Sequence, residues 1–270
     1  MPINRSWQAA LLAGLSSALL AACPVPASAV PMNARAVTQL LFNAVDGTRP
    51  DLSGQALKDL DLAGLDFKKA TLAKANLFGA DLSNANLSGT DLRAANFDRV
   101  TLIATRFDDA NLEGASLLRP SVFTTLTALA SEAPSFRGAN MRGIKMFGRF
   151  GRANFQGADL TGATCAPFGK TGFIEEIWRT EFSGANFAGA QLAGANFTHA
   201  LLTFADLSGA NLRDTILKNA DLTGADLSGA DLTGADVTGA DLAGVKLAGA
   251  KGFDQVRGLE AARNADKAIR

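Results

Sequence analysis

Ala220-Asp221-Leu222-Thr223-Gly224-Ala225-Asp226-Leu227-Ser228-Gly229-Ala230-Asp231-Leu232-Thr233-Gly234-Ala235-Asp236-Val237 is one five-residue unit written over and over. The same phase extends from Phe182 to Leu247, with an apolar residue at every fifth position, usually Ala two places before it and Asp or Asn one place before. A five-residue step turns about 140° around an α-helix, so leucines so spaced would wander over every face. In a flat strand, positions five apart point to opposite faces, and half the leucines would meet water. All of them share one interior only if the chain bends the same way once per unit, winding about an axis and stacking coil on coil.

Residue types agree at each place. In Ala225-Asp226-Leu227-Ser228-Gly229 the leucine fills the axis, and Ala225 faces inward where only a methyl fits. Gly229 tolerates the backbone angles of a tight corner. The Asp, Asn, Ser and Thr side chains face solvent and bond backbone groups at the bends. Working outward, the same centres run from Leu52 to Val122, then out of phase at Phe136, Met141 and Met146 and at Phe155, Leu160 and Cys165.

These A-(D/N)-L-x-x tandem units resemble the pentapeptide-repeat proteins. The resemblance implies an all-β solenoid, a right-handed, quadrilateral parallel β-helix of roughly 20 residues per coil. The centres number 15, 6 and 14 in the three runs, which predicts about nine coils and a length on the order of 40 Å at the strand spacing. The units around Leu57 and Leu62 depart from the pattern, because Gln55-Ala56 and Leu60-Asp61 precede them.

Residues 1–29 read as a secretory signal: Arg5 supplies a positive end, Trp7 to Ala22 an apolar stretch, and Ala27-Ser28-Ala29 a small-residue cleavage site. The expected address is periplasmic or secreted. Leu20-Ala21-Ala22-Cys23 offers a competing lipobox, at which the chain would be cut and anchored as a lipoprotein through Cys23. No later stretch has the roughly 18 apolar residues of a membrane span. Without residues 1–29 the chain carries 25 basic and 26 acidic residues. Some members of the family use an acidic rod to mimic DNA and engage DNA gyrase; near-neutral charge and an export signal argue against that alternative and against a nucleic-acid partner.

The expected domains are a cap helix within 30–50, the repeat solenoid over 51–253 and a C-terminal cap over 254–270. An open stack exposes strand edges and an apolar end, so both ends call for covers. Asn33 to Ala44 places Val37, Leu40, Leu41 and Ala44 on one helical face, whereas Gly258 to Ile269 has weaker helical spacing. Homodimerisation through a terminal cap is the competing use of that end.

Insertions over 123–135 and 167–181 interrupt the solenoid, and loops leaving a rigid scaffold commonly carry function. Between them Arg137, Arg142, Lys145, Arg149 and Arg152 meet no acidic residue from Ser135 to Ala158. The candidate partner-binding residues are therefore Arg142, Lys145, Arg149, Arg152, Phe173, Trp178 and Arg179, with Trp178 as aromatic anchor. Folding of the loop apolar residues back onto the stack, and an ordinary solvated basic face, are the competing readings.

Catalysis finds little footing. His199 is the single histidine, Cys165 occupies a centre position, and no phosphate-binding loop or zinc spacing occurs. Residues one coil apart stack Asp206 on Asp226 and Asp221 on Asp241, an arrangement that predicts mutual opposition to ionisation. The calcium-binding nonapeptide of β-rolls is missing, so no metal or cofactor is expected. These features describe a non-enzymatic scaffold that binds another protein of the bacterial envelope.

Overall fold

The computed structural model describes residues 32–45, 47–124, 129–167 and 179–269. The expected signal segment, Phe173 and Trp178 lie outside the described residues.

Parallel backbone bridges connect each coil to the next in four ladders. One passes through Asp51, Thr71, Asp91 and Asn111 and continues through Asn140, Asp159, Gln191, Asn211 and Asp231 to Lys251. The others begin at Ala56, Asp61 and Asp66. Among the described residues only Ser116–Leu118 (β1) and Lys145–Phe147 (β2) are long enough to be strands, and they pair in parallel with Leu117 opposite Met146. Each side is short because a turn follows every centre. Leu52 accepts from the Gln55 N–H at 3.2 Å, and Leu77 from the Ala80 N–H at 2.9 Å.

The centres from Leu52 to Val122 are buried, Leu57 and Leu62 included, and so are the alanines two places before them. Where threonine replaces alanine, the hydroxyl finds a carbonyl: Thr105 Oγ1 donates to Leu82 O at 2.8 Å and Thr215 Oγ1 to Leu192 O at 2.9 Å. Satisfying the hydroxyl inside removes most of the cost of burying it. Burial of a Leu or Phe side chain contributes about 1.5 to 3 kcal/mol, and the continuous column of centres is what holds the stack.

Three of the four ladders pass both insertions without losing register, while in the third no bridge joins Ser121 to Arg149. The step from Asn111 to Asn140 absorbs the first, and the step from Asp159 to Gln191 the second. Between them the chain is one residue short, because Lys145 and Arg149 occupy adjacent ladders only four positions apart. That deletion advances the phase and makes Phe150 a centre, fully buried beside Phe182 with ring centroids 5.6 Å apart. Phe147 is buried too. Strict counting in fives places only Phe136 and Phe155 of the phenylalanines between the insertions at centres, because it does not register the missing residue.

The N-terminal helix α1 spans Ala34–Asn43, and the Asn33 Oδ1 accepts from the Ala36 N–H at 2.9 Å. Val37 and Leu41 join the core, whereas Leu40 is exposed and Ala44 half-buried. The buried face is thus narrower than the expected one.

The C-terminal segment is no α-helix. Lys251, Arg257, Arg263 and Ile269 continue the four ladders at six-residue intervals, and 3₁₀ turns at Phe253–Gln255, Leu259–Ala261 and Ala265–Lys267 form the corners. A side lengthened by one residue accommodates a 3₁₀ turn where the regular sides have a tighter bend. The spacing of Leu259, Ala262 and Ile269 that suggested a helix comes from these turns. Phe253, Val256 and Leu259 are only partly buried against the core.

Candidate interaction surface

The basic residues between the insertions do not gather on one face. Lys145 lies on the second ladder and Arg149 on the third; Arg142 follows the centre Met141, and Arg152 occupies a corner at φ +59°. They ring a single coil. Nor are they all unopposed, as the sequence reading expected. Arg142 Nη1 lies 3.0 Å from Asp159 Oδ2, and Arg149 Nε lies 3.1 Å from Glu181 Oε2. Both carboxylates come from the next coil, beyond the acid-free stretch from Ser135 to Ala158. Exposed pairs of this kind contribute about 0 to 1 kcal/mol, so they shape the surface more than they stabilise it. Lys145 and Arg152 are exposed.

Arg149 joins the roots of the two insertions. Its guanidinium sits 5.7 Å from the ring centroid of Phe123, where the first insertion leaves. Its carboxylate partner Glu181 is where the second returns to the ladder. The first loop is closed by Glu132, whose carboxylate accepts from Thr124 N at 3.2 Å and Thr124 Oγ1 at 2.5 Å. Its backbone carbonyl accepts from Ala104 N at 2.7 Å.

Arg179, the last candidate, is half-buried at the foot of the second insertion. It lines a groove of about 370 Å³ together with His199, Asn219, Gly239, Ala261 and Arg263. As the single histidine, His199 offers no catalytic pair in the sequence. It occupies a corner at φ +61°, but the imidazole is not alone. Residues 179, 199, 219 and 239 follow the coil period of 20 and could have been grouped from the sequence; Arg263 reaches them only through the lengthened last coil.

The stacked aspartates pair as expected, Asp206 with Asp226 and Asp221 with Asp241. Neither Asp226 nor Asp241 is pushed toward protonation. Ser228 holds Asp226 below the usual carboxylate range, with help from Lys246, and Asn264 with Arg263 does so for Asp241. Hydrogen bonds to the ionised form and a cation one coil away outweigh the like charge. Each of these carboxylates also accepts from the backbone two residues on, as Asp206 Oδ1 does from Ser208 N at 3.0 Å.

Cys165 is completely buried, and burial pushes its thiol far above its ordinary value. Among the described residues no group of three or more His, Cys, Asp and Glu could hold a metal ion. None of the described helices is long and apolar enough to cross a membrane.

The family description "Pentapeptide repeats" matches eight copies over residues 51–84, 80–117, 180–219 and 220–251, together more than half of the chain. No curated protein matches the chain. Among solved structures, a pentapeptide repeat protein involved in heterocyst differentiation regulation, HetL from the cyanobacterium Nostoc sp., is 24% identical. That alignment covers 88% of this chain and 94% of the other, with a TM-score of 0.46. The trypsin-treated plasmid-mediated fluoroquinolone resistance protein QnrB1 is 17% identical over 72% of this chain and 86% of its own, with a TM-score of 0.45. Repeat units matched over most of both regular runs, folded into laddered coils with buried centres, make this chain a member of the pentapeptide repeat family.

Proposed function

We propose that this repeat scaffold acts by binding rather than catalysis, and that it is exported and docks another protein of the bacterial envelope through the face where its two insertions meet. In this reading the stack is a closed right-handed coil with both ends covered, and residues 1–29 are removed at Ala29 or replaced by a lipid on Cys23. The observation that carries the reading is Arg149, which touches Phe123 at one insertion root and Glu181 at the other. Because three of the four ladders pass both insertions in register, those residues are surplus to the fold, and a rigid base presents them together. Arg149, Arg152, Arg179, Phe173 and Trp178 form the docking surface, and Arg142 and Lys145, on other sides of the coil, stay outside it.

Cell fractionation combined with the mass of the mature amino terminus tests the address. Mature protein recovered from the envelope, beginning at Val30 or at a lipidated Cys23, supports export; full-length protein in the cytoplasm removes it. Affinity capture from the envelope, comparing the intact chain with Trp178→Ala and Arg149→Ala, tests the surface. Equal recovery of the same partner by all three would discard it.

A further inference from the structure

Two buried nitrogens among the described residues lack a hydrogen-bond partner: Arg179 Nε and His199 Nδ1. Both belong to residues of the 370 Å³ groove. Buried polar groups are nearly always paired, and an unpaired one calls for water, an ion or a ligand group. Two in the same groove point to a shared acceptor.

The backbone cannot be that acceptor's partner. His199, Asn219 and Gly239 follow one another along this corner at φ +61°, +54° and +68°. Their N–H groups already donate to Lys218 O at 2.8 Å, Thr238 O at 2.9 Å and Ala261 O at 3.2 Å. What remains to meet a ligand is side chain. Gly239 and Ala261 keep one end of the groove low, and Asn219 Oδ1 lies over Gly239, 2.2 Å from where a Cβ would stand.

The charge in the groove has one sign. None of its six lining residues is acidic. Arg263 shares its charge with Asp241, Nη2 to Oδ2 at 3.8 Å, while Arg179 forms no ion pair among the described residues. A larger hollow of about 630 Å³ near α1 differs in this respect, because Asp66 stands there among Arg49, Lys68 and Lys69. A guanidinium, an imidazole and an amide around one recess suit a small planar or tetrahedral acceptor, and hydrogen bonds between charged partners are the strong ones.

We propose that this groove binds a small oxyanion, the carboxylate or phosphate group of a ligand, with Arg179 as the principal charge partner, His199 and Asn219 as donors and Arg263 closing the far side. The site stands whether or not the chain is exported.

His199 is the single histidine, so in untagged protein its ring gives one reporter. The test is a titration with inorganic phosphate and, separately, with acetate. Its readout is the His199 ring resonances by NMR at fixed pH and ionic strength, with chloride as control. A saturable shift with phosphate or acetate, and none with chloride, is expected; the tighter of the two identifies the group recognised. Arg179→Gln should weaken binding about tenfold or more, given the strength of charged hydrogen bonds. Arg179→Lys should retain part of it, and an unchanged melting curve would show both variants to be folded. A shift that never saturates overturns the proposal, and so does saturable binding that survives both Arg179→Gln and Arg263→Gln.

Discussion

The rings of Phe136 and Phe155 lie 5.0 Å apart with their planes only 3° from parallel, although 19 residues rather than 20 separate them. They are the middle of a longer stack. Phe107 meets Phe136 at 5.0 Å, and Phe155 meets Phe187 at 4.7 Å. The stack spans the coils in which both insertions and the one-residue deletion occur. Large planar side chains hold neighbouring coils in step where chain length no longer does so.

Phe155→Ala should therefore destabilise the protein by about 3 to 5 kcal/mol, the usual cost of emptying an aromatic site in a packed core. Phe155→Leu, which restores the residue type of most centres, should cost less. Urea unfolding of the two variants measures the difference. Equal and small losses would mean that the stack contributes nothing to register.

Acid should weaken the C-terminal coils. Asp231 accepts from Thr233 Oγ1 at 2.6 Å and Thr233 N at 3.0 Å, and it faces Arg213 at 3.1 Å. These contacts lower its pKa from 3.8 to about 2. A group whose folded pKa is depressed adds stability above its unfolded pKa, near 3.9, which is lost as pH falls through the folded value. The melting temperature should accordingly decline between about pH 4 and about pH 2. Asp231→Asn, which keeps an acceptor for Thr233 but carries no charge, should show a shallower decline.

Gly258→Ala should loosen the last coil locally. Gly258 has φ +72°, and an added Cβ would stand 2.8 Å from Thr238 Cα and 2.0 Å from Thr238 Oγ1. The left-handed conformation alone costs an L-residue about 1 to 2 kcal/mol, and the backbone contact adds to it. Amide exchange at Arg257 and Arg263, which donate to Ala235 O at 2.7 Å and Ala240 O at 2.8 Å, should accelerate. Exchange at Asn111, six coils away, should not change.

Cys165 should resist alkylation in the folded protein and react once denaturant is added. The thiol is fully buried and held protonated, and only the thiolate attacks. Mass spectrometry of the peptide containing Cys165 distinguishes the two conditions. Rapid labelling of the native protein would show that the coil around it opens.

By itself the sequence determined everything that depends on one repeat unit. The buried centres from Leu52 to Val122 and from Phe182 to Leu247, the inward alanines, and the carboxylates that cap their own turns all follow from side-chain size and polarity within five residues. So does α1, whose Asn33 cap and Val37–Leu41 face are local. Register between coils was decided elsewhere. Phe150 became a centre because its ring found a place above Phe182, not because counting in fives reached it. Arg142 and Arg149 acquired acidic partners from the coil above, and Lys251 to Ile269 became a coil with six-residue sides because ladder bonds to the previous coil won over helical spacing. Arg263 came to share the groove of Arg179 and His199 because the lengthened last coil shifted it beside that corner, whereas Arg179 and His199 themselves stand one 20-residue period apart. Across an insertion, a deletion or a lengthened side, distances along the chain carry no record of which residue lies on which; there only backbone pairing and packing between coils set that.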